Sequence, residues 1–249
     1  MTDGKKKSSW EIARPGPGTL SGFFVAWLFV AAIIGITVVL MLVGKGPMPL
    51  RVIGYDISVG GQAPSAAQME NLVTAIRQTS PMVLAIHGSS EEMAPELARK
   101  LEIKPENVAS EGSSAILSRY EISKSQGGRV GLIEWGKGGK FGVVSVDLKE
   151  AADAVGDLKK AIELAKKEFG KTPHAILAQA GSTAPDAPEG YIVATATKQG
   201  ATDWRIYVPK DLEDNLKECY VPADNAKIKE FSQRMPIIAR FVFHKKDFE

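Results

Sequence analysis

Along the chain, apolar and polar positions fall into blocks of different period. The first block, Leu20–Val43, reads LSGFFVAWLFVAAIIGITVVLMLV, 24 positions without a charge. At about 1.5 Å per residue a helix of that length reaches roughly 36 Å, more than the ~30 Å hydrocarbon core of a bilayer. A secretory signal would have an apolar core of about 7–15 residues before a small-residue cleavage site. Here the run is longer, and GKGPMPL follows it. The pattern therefore predicts a retained transmembrane helix over 20–43, with a turn-rich segment 1–19 before it and a short linker 44–49 after it.

From residue 50 onward, short apolar runs alternate with amphipathic ones. Leu50–Ser58 is rich in branched residues and bounded by Pro and Gly, as a strand should be. Ser65 and Gln68 have the spacing of a capping box, and Met69, Leu72, Val73 and Ile76 follow at helical intervals. Pro81–Ile86 is wholly apolar, the mark of a strand covered on both faces. A second helix is expected over Glu91–Leu101, with strands at Ala115–Leu117, Arg129–Trp135 and Lys140–Leu148. Ala151–Phe169 carries Ala154, Leu158, Ala161, Ile162 and Ala165 on one face and lysines opposite, a strong helix pattern. His174–Ala178, Tyr191–Thr197, Arg205–Pro209 and Ile237–Phe243 read as strands, with a helix near Ala226–Ser232. The expectation is a single α/β domain over 50–249, without an internal repeat.

Charge sharpens the first block and leaves the second ordinary. The formal net charge is +2, with 31 Lys and Arg against 29 Asp and Glu. Residues 1–50 hold five of the basic and two of the acidic side chains, so the remainder is close to neutral and no nucleic-acid partner is expected. Lys5, Lys6, Lys7 and Arg14 precede the apolar run, while Lys45 and Arg51 follow it. That bias predicts a cytoplasmic N-terminus and an extracytoplasmic domain 50–249. Ala31, Ala32 and Gly35 would permit close helix packing, although single spans are commonly rich in Ala and Gly.

Candidate chemistry is sparse. Gly136-Lys-Gly-Gly139 is glycine-rich, but a phosphate cradle needs a helix N-terminus after it, and here a strand follows, so a hairpin turn is predicted. Cys219 stands alone with Glu218 beside it, which predicts a structural thiol and excludes an internal disulfide. Lys159, Lys160, Lys166 and Lys167 are interleaved with Glu163 and Glu168, as on a solvated helix face. His174 and His244 read as surface residues.

In order and spacing the segments of the domain resemble the endonuclease/exonuclease/phosphatase superfamily of metal-dependent phosphodiesterases. LRVIGYDIS is similar to that family's first strand, which ends in Asn, and PMVLAIHG to its P-D-V-(I/V)-A-L-Q-E. AILSRYEI resembles I-L-S-R-(Y/F)-P-I, and VVSVDL resembles V-V-(N/S)-V-H-L. HAILAQAGSTAPDAP is similar to the strand leading into I-L-A-G-D-F-N-x-x-P, TDWRIYV to I-D-Y-I-F-V, and SQRMPIIARF to S-D-H-R-P-V with the last strand. The match runs in order over residues 50–243 and implies a two-sheet α/β sandwich flanked by helices.

What the resemblance implies about chemistry is loss. The family holds one or two divalent cations with acids at strand ends, because hard cations take carboxylate oxygens and offset charge on the phosphoryl group. Its metal-binding Glu falls on Gly88, after His87. The Asp and Asn of G-D-F-N fall on Ala180 and Ser182, with Gln179 at the glycine. S-D-H becomes Ser232-Gln233-Arg234, so neither the acid nor the histidine remains. The first-strand Asn is Asp56, the His of V-H-L is Asp147, and Asp203 alone matches the family as it stands. Glycine and alanine offer no ligand atoms, and a guanidinium is not a base at neutral pH.

Together, the apolar run and the resemblance predict a membrane-anchored pseudoenzyme without cofactor, serving as a binding or assembly module for other membrane subunits or for itself through the span. Two alternatives stay open. Asp56, His87, Asp147 and Asp203 could converge on Mg²⁺ or Mn²⁺ in a new arrangement and sustain phosphodiesterase chemistry. Otherwise, the vacated cleft could take a small ligand or a lipid headgroup. A further expectation is that Asp203 and Arg234, in place of the family's Asp–His pair, lie within about 6 Å of each other as an ion pair.

Overall fold

The structure is a computed structural model. It describes residues 25, 27–37, 47–57, 65–89, 92–136, 138–148, 153–180, 184–194, 203–222 and 235–248. The chain divides into two units, Met1–Gly46 and Pro47–Glu249.

In the first unit, residues 27–37 are helical, and their large apolar side chains, from Trp27 to Ile36, are exposed. Among the described residues no helix is long and apolar enough to cross a membrane. The rest of the apolar run, residues 20–24, 26 and 38–43, lies outside the described residues.

The second unit is a sandwich of two six-stranded sheets. Its strands, in chain order, are β1 (Met48–Asp56), β2 (Val83–His87), β3 (Val108–Glu111), β4 (Ser114–Ser118), β5 (Glu121–Gln126), β6 (Val130–Trp135), β7 (Gly139–Asp147), β8 (His174–Gln179), β9 (Tyr191–Ala194), β10 (Trp204–Pro209), β11 (Leu216–Tyr220) and β12 (Ile237–Phe243). The helices are α1 (Ala66–Thr79), α2 (Met93–Lys100) and α3 (Ala154–Phe169). One sheet runs β11-β12-β1-β2-β4-β3 and the other β5-β6-β7-β8-β10-β9. Each sheet has one parallel pair, β1 with β2 and β7 with β8, and each such pair is bridged by a helical connection.

Strand parity sorts the core into three layers. Leu50 and Val52 of β1, Val83 and Ala85 of β2, Phe141 and Val143 of β7, Ala175 and Leu177 of β8, and Trp204 and Ile206 of β10 pack between the sheets. The alternate residues Ile53, Tyr55, Leu84 and Ile86 pack under α1 and α2. On the second sheet, Val144, Ile176 and Ala178 pack under α3 through Leu158, Ala161, Ile162 and Ala165. The capping box of α1 is present: the Ser65 hydroxyl accepts from Gln68 N–H, and the Gln68 side chain accepts from Ser65 N–H.

Most predicted elements are found, with ends displaced by a few residues. Strands β3, β5 and β11 were not anticipated. β5 is an edge strand with mostly exposed side chains (EISKSQ), so it has no apolar signature to read. β6 and β7 form the predicted hairpin, with Trp135 paired to Gly139 and positive φ at Gly136 and Gly138. The expected helix at 226–232 lies outside the described residues. His174 was expected at the surface but is buried, because the α3–β8 connection lays its ring against Phe169. Its imidazole bonds the Thr172 carbonyl at 2.9 Å and the Tyr191 hydroxyl at 2.8 Å. His244 is exposed, as anticipated.

Candidate functional site

The two parallel pairs end side by side: Asp56 is in register with His87, and Asp147 with Gln179. Counting by twos from the inter-sheet residues of each strand places Asp56, His87, Ser145, Asp147, Gln179 and Trp204 all on inward faces. The sandwich therefore collects polar side chains between its sheets at one end, where the apolar filling stops.

Those side chains tie the sheets together. Gln179 Nε2 donates to Asp56 Oδ2 at 2.6 Å, and His87 Nε2 lies 2.7 Å from Ser145 Oγ. Each bond joins a strand of one sheet to a strand of the other, and all four residues are buried. The other ring nitrogen of His87, Nδ1, lies 3.4 Å from Ser114 Oγ. Trp204 meets the His87 ring edge-on at a centroid distance of 5.0 Å. Gly54, two residues before Asp56, leaves room for that indole, since a Cβ there would sit 2.5 Å from Trp204 Cε3. Burial holds the His87 imidazole below its ordinary pKa. Asp147 and Asp56 act in the opposite sense, and the Arg129 cation reinforces the depression. His87 is thus a neutral, hydrogen-bonded core group at pH 7.

The residues singled out in the sequence do not all come together. Asp56, His87 and Gln179 come together. Asp147 is exposed at the end of β7, near enough to influence His87. Asp203 is half-buried just before β10, and its carbonyl accepts from Ala180 N–H at 2.7 Å. Gly88 follows β2 with φ +77°, and Ala180 is buried directly after β8. Ser182, Gln233 and Arg234 lie outside the described residues, and with them the expected Asp203–Arg234 pair.

Sequence reasoning missed Ser145, Ser114 and Trp204. The available signal for Ser145 was a hydroxyl inside the otherwise apolar run Val143-Val144-Ser145-Val146. A buried serine in such a setting needs a hydrogen-bond partner.

Among the described residues at these strand ends, the donor set does not fit a divalent cation. Gly88 and Ala180 supply no side-chain donor, and the Asp56 carboxylate is buried against Gln179. Among the described residues no three of His, Cys, Asp and Glu are grouped closely enough to hold a metal ion. A cavity of about 570 Å³ opens beside His87 and Ser145, toward Arg129 and α3. A larger one, about 810 Å³, lies away from these strand ends, around His174 and Tyr191.

No family model and no curated protein sequence matches the chain. Solved structures do match. An endonuclease/exonuclease/phosphatase from Bacteroides vulgatus superposes with a TM-score of 0.60 at 13% identity, covering 80% of this chain and 100% of that one. A family protein from Bacteroides thetaiotaomicron gives 0.58 at 11% identity, covering 80% and 99%. An AP endonuclease from Archaeoglobus fulgidus gives 0.52 at 11% identity, covering 77% and 99%. With its paired sheets, helical flanks and strand order, the domain carries the endonuclease/exonuclease/phosphatase fold.

Proposed function

We propose that this protein is a membrane-anchored, non-catalytic member of the endonuclease/exonuclease/phosphatase superfamily that works as a binding or assembly module. The carrying observation is the state of the strand ends. Where the resemblance places metal-binding acids, the chain has Gly88 and Ala180. The inward side chains beside them are spent on buried cross-sheet bonds, Gln179 to Asp56 and His87 to Ser145. A catalytic metal site needs ligand atoms held open toward substrate. Here Asp56, Gln179, His87 and Ser145 face one another and are screened from solvent, while Asp147 is exposed.

The charge-free run 20–43 supports a single span, and the basic lead before it supports a cytoplasmic N-terminus with the domain outside. In this reading the span holds a rigid sandwich beside other membrane subunits, or beside a second copy. The test is to purify the full chain in detergent and assay it with Mg²⁺ or Mn²⁺ on phosphodiesters, abasic DNA and phospholipids. No turnover above a blank is expected. Turnover abolished both by EDTA and by Asp56→Ala would overturn the reading. Co-purification from the native membrane identifies the partner.

A further inference from the structure

The 570 Å³ cavity beside the cross-sheet bonds has the size of a small-ligand site. Its floor is polar and already satisfied, with His87 bonded to Ser145 through one ring nitrogen and to Ser114 through the other. Its mouth is different. Among the described residues, four charged side chains line the cavity: Arg129, Asp147, Asp157 and Lys160. Lys160 Nζ and Asp157 Oδ1 hold each other at 2.8 Å, and Asp147 has interactions of its own. Among the described residues, neither the Arg129 guanidinium nor the Ser113 hydroxyl has a hydrogen-bond partner; both residues are exposed and line the same cavity. The mouth therefore presents two unengaged donor groups facing one space.

Their placement is built into the backbone. The β5–β6 turn passes so close to β4 that a Cβ at Gly128 would overlap the Ser114 carbonyl, and Gly127 adopts φ +53° to make the turn. The Arg129 carbonyl then accepts from Ser145 N–H at 2.7 Å, and its N–H donates to the Gln126 carbonyl at 3.2 Å. The Ser113 carbonyl, in turn, accepts from both the N–H and the hydroxyl of Ser89, at 3.2 and 3.3 Å. Both donors are thus carried on pinned backbone.

Counting charge selects the ligand. Among the described residues the wall holds two cations and two carboxylates, and of the two cations only Lys160 has an ion-pair partner there. A dianion or a polyanion would meet the field of Asp147 and Asp157 with only one positive charge to receive it. A singly charged carboxylate matches that charge and the planar fork of a guanidinium. Half-buried Val146 and Leu164, with Ala161, supply an apolar wall for the rest of the molecule. From this we infer that the cavity binds a carboxylate with an apolar body, held by Arg129 and Ser113. The source is either a small carboxylic acid or the free C-terminus of a partner chain. The inference rests on the binding-module reading above and names what that module would hold.

The test is calorimetric titration of the full chain in detergent, with empty micelles as the blank. The probes are hexanoate, hexanol, inorganic phosphate, N-acetyl-Leu-Leu as the free acid, and the same dipeptide as its amide. Hexanoate is expected to saturate with a Kd on the order of 1 mM, while hexanol and phosphate do not. R129Q should weaken it about tenfold or more, with R129K intermediate because a point charge replaces the fork. K210Q, at the other cavity, should leave it unchanged. Tighter binding of the free-acid peptide than of hexanoate, lost in the amide, assigns the site to a partner's C-terminus. The converse assigns it to a small acid. Absence of saturable binding by either acid, equal binding in R129Q, or stronger binding of phosphate overturns the proposal. Phosphodiester turnover in the separate assay would overturn the non-catalytic reading and leave this titration to decide the carboxylate site alone.

Discussion

The buried bond from Gln179 to Asp56 is where the argument for a closed cleft is most exposed to measurement. Gln179→Leu keeps a side chain of similar length and removes the donor that reaches Asp56 Oδ2 at 2.6 Å. Hydrogen bonds to a charged partner contribute roughly 1.5–3 kcal/mol, and this one lies in the low-dielectric space between the sheets. For a domain of this size each kcal/mol moves Tm by about 2–4 °C, so Gln179→Leu should lower it by roughly 3–12 °C. Leucine also regains some apolar burial, and Asp56 has further interactions, so the single variant does not isolate the bond. A double-mutant cycle with Asp56→Ala does. Urea unfolding of the full chain in detergent, followed by tryptophan fluorescence, should give a coupling energy of about 1.5–3 kcal/mol. A coupling below about 0.5 kcal/mol would mean that the two residues act independently. The cross-sheet bond would then be incidental, and the case that these strand ends are tied shut would fail with it.

Three other outcomes follow from the same geometry. Burial holds both His87 and His174 below the ordinary imidazole value, so the unfolded chain binds more protons than the folded one as acid is added. Stability should be complete above the unfolded value of about 6.5 and fall as pH drops through it toward the lower folded values; urea midpoints should show His87→Gln flattening that slope, and an unchanged slope would refute it. Gly54→Ala drives a Cβ into the Trp204 ring and should cost about 1–3 kcal/mol, read as a lower urea midpoint with altered tryptophan emission. Cys219 is buried, its thiol pushed up to about 12 and its Sγ 3.4 Å from the Ala194 carbonyl, so iodoacetamide should label it only in denaturant. Rapid labelling of the native protein would contradict that placement.

Much of this protein is legible in local pattern. The helix Ala154–Phe169 announces itself by its 3.6-residue period, and Ser65 with Gln68 marks the start of α1. Strand β12 falls on the residues the apolar run predicts, Ile237–Phe243. Edge strand β5 does not, because a strand solvated on both faces has no period-2 contrast to detect. Resemblance in the strand-end segments was enough to expect the two-sheet sandwich. It also implied that Gly88 and Ala180 stand at positions where the family carries ligands, which remains part of the proposal.

What the chain alone determined is therefore which residues sit at the ends of the strands and which of them lack ligand atoms. These properties follow from short-range periodicity and from side-chain identity. Only the tertiary structure decided that Gln179 reaches Asp56 and that His87 reaches Ser145, and that Arg129 and Ser113 face one cavity while Asp147 is exposed. The partners in each bond lie 123 and 58 residues apart. Parity says that a side chain points between the sheets but not which strand of the other sheet lies opposite. That pairing is set by how two twisted sheets stack over a shared apolar filling.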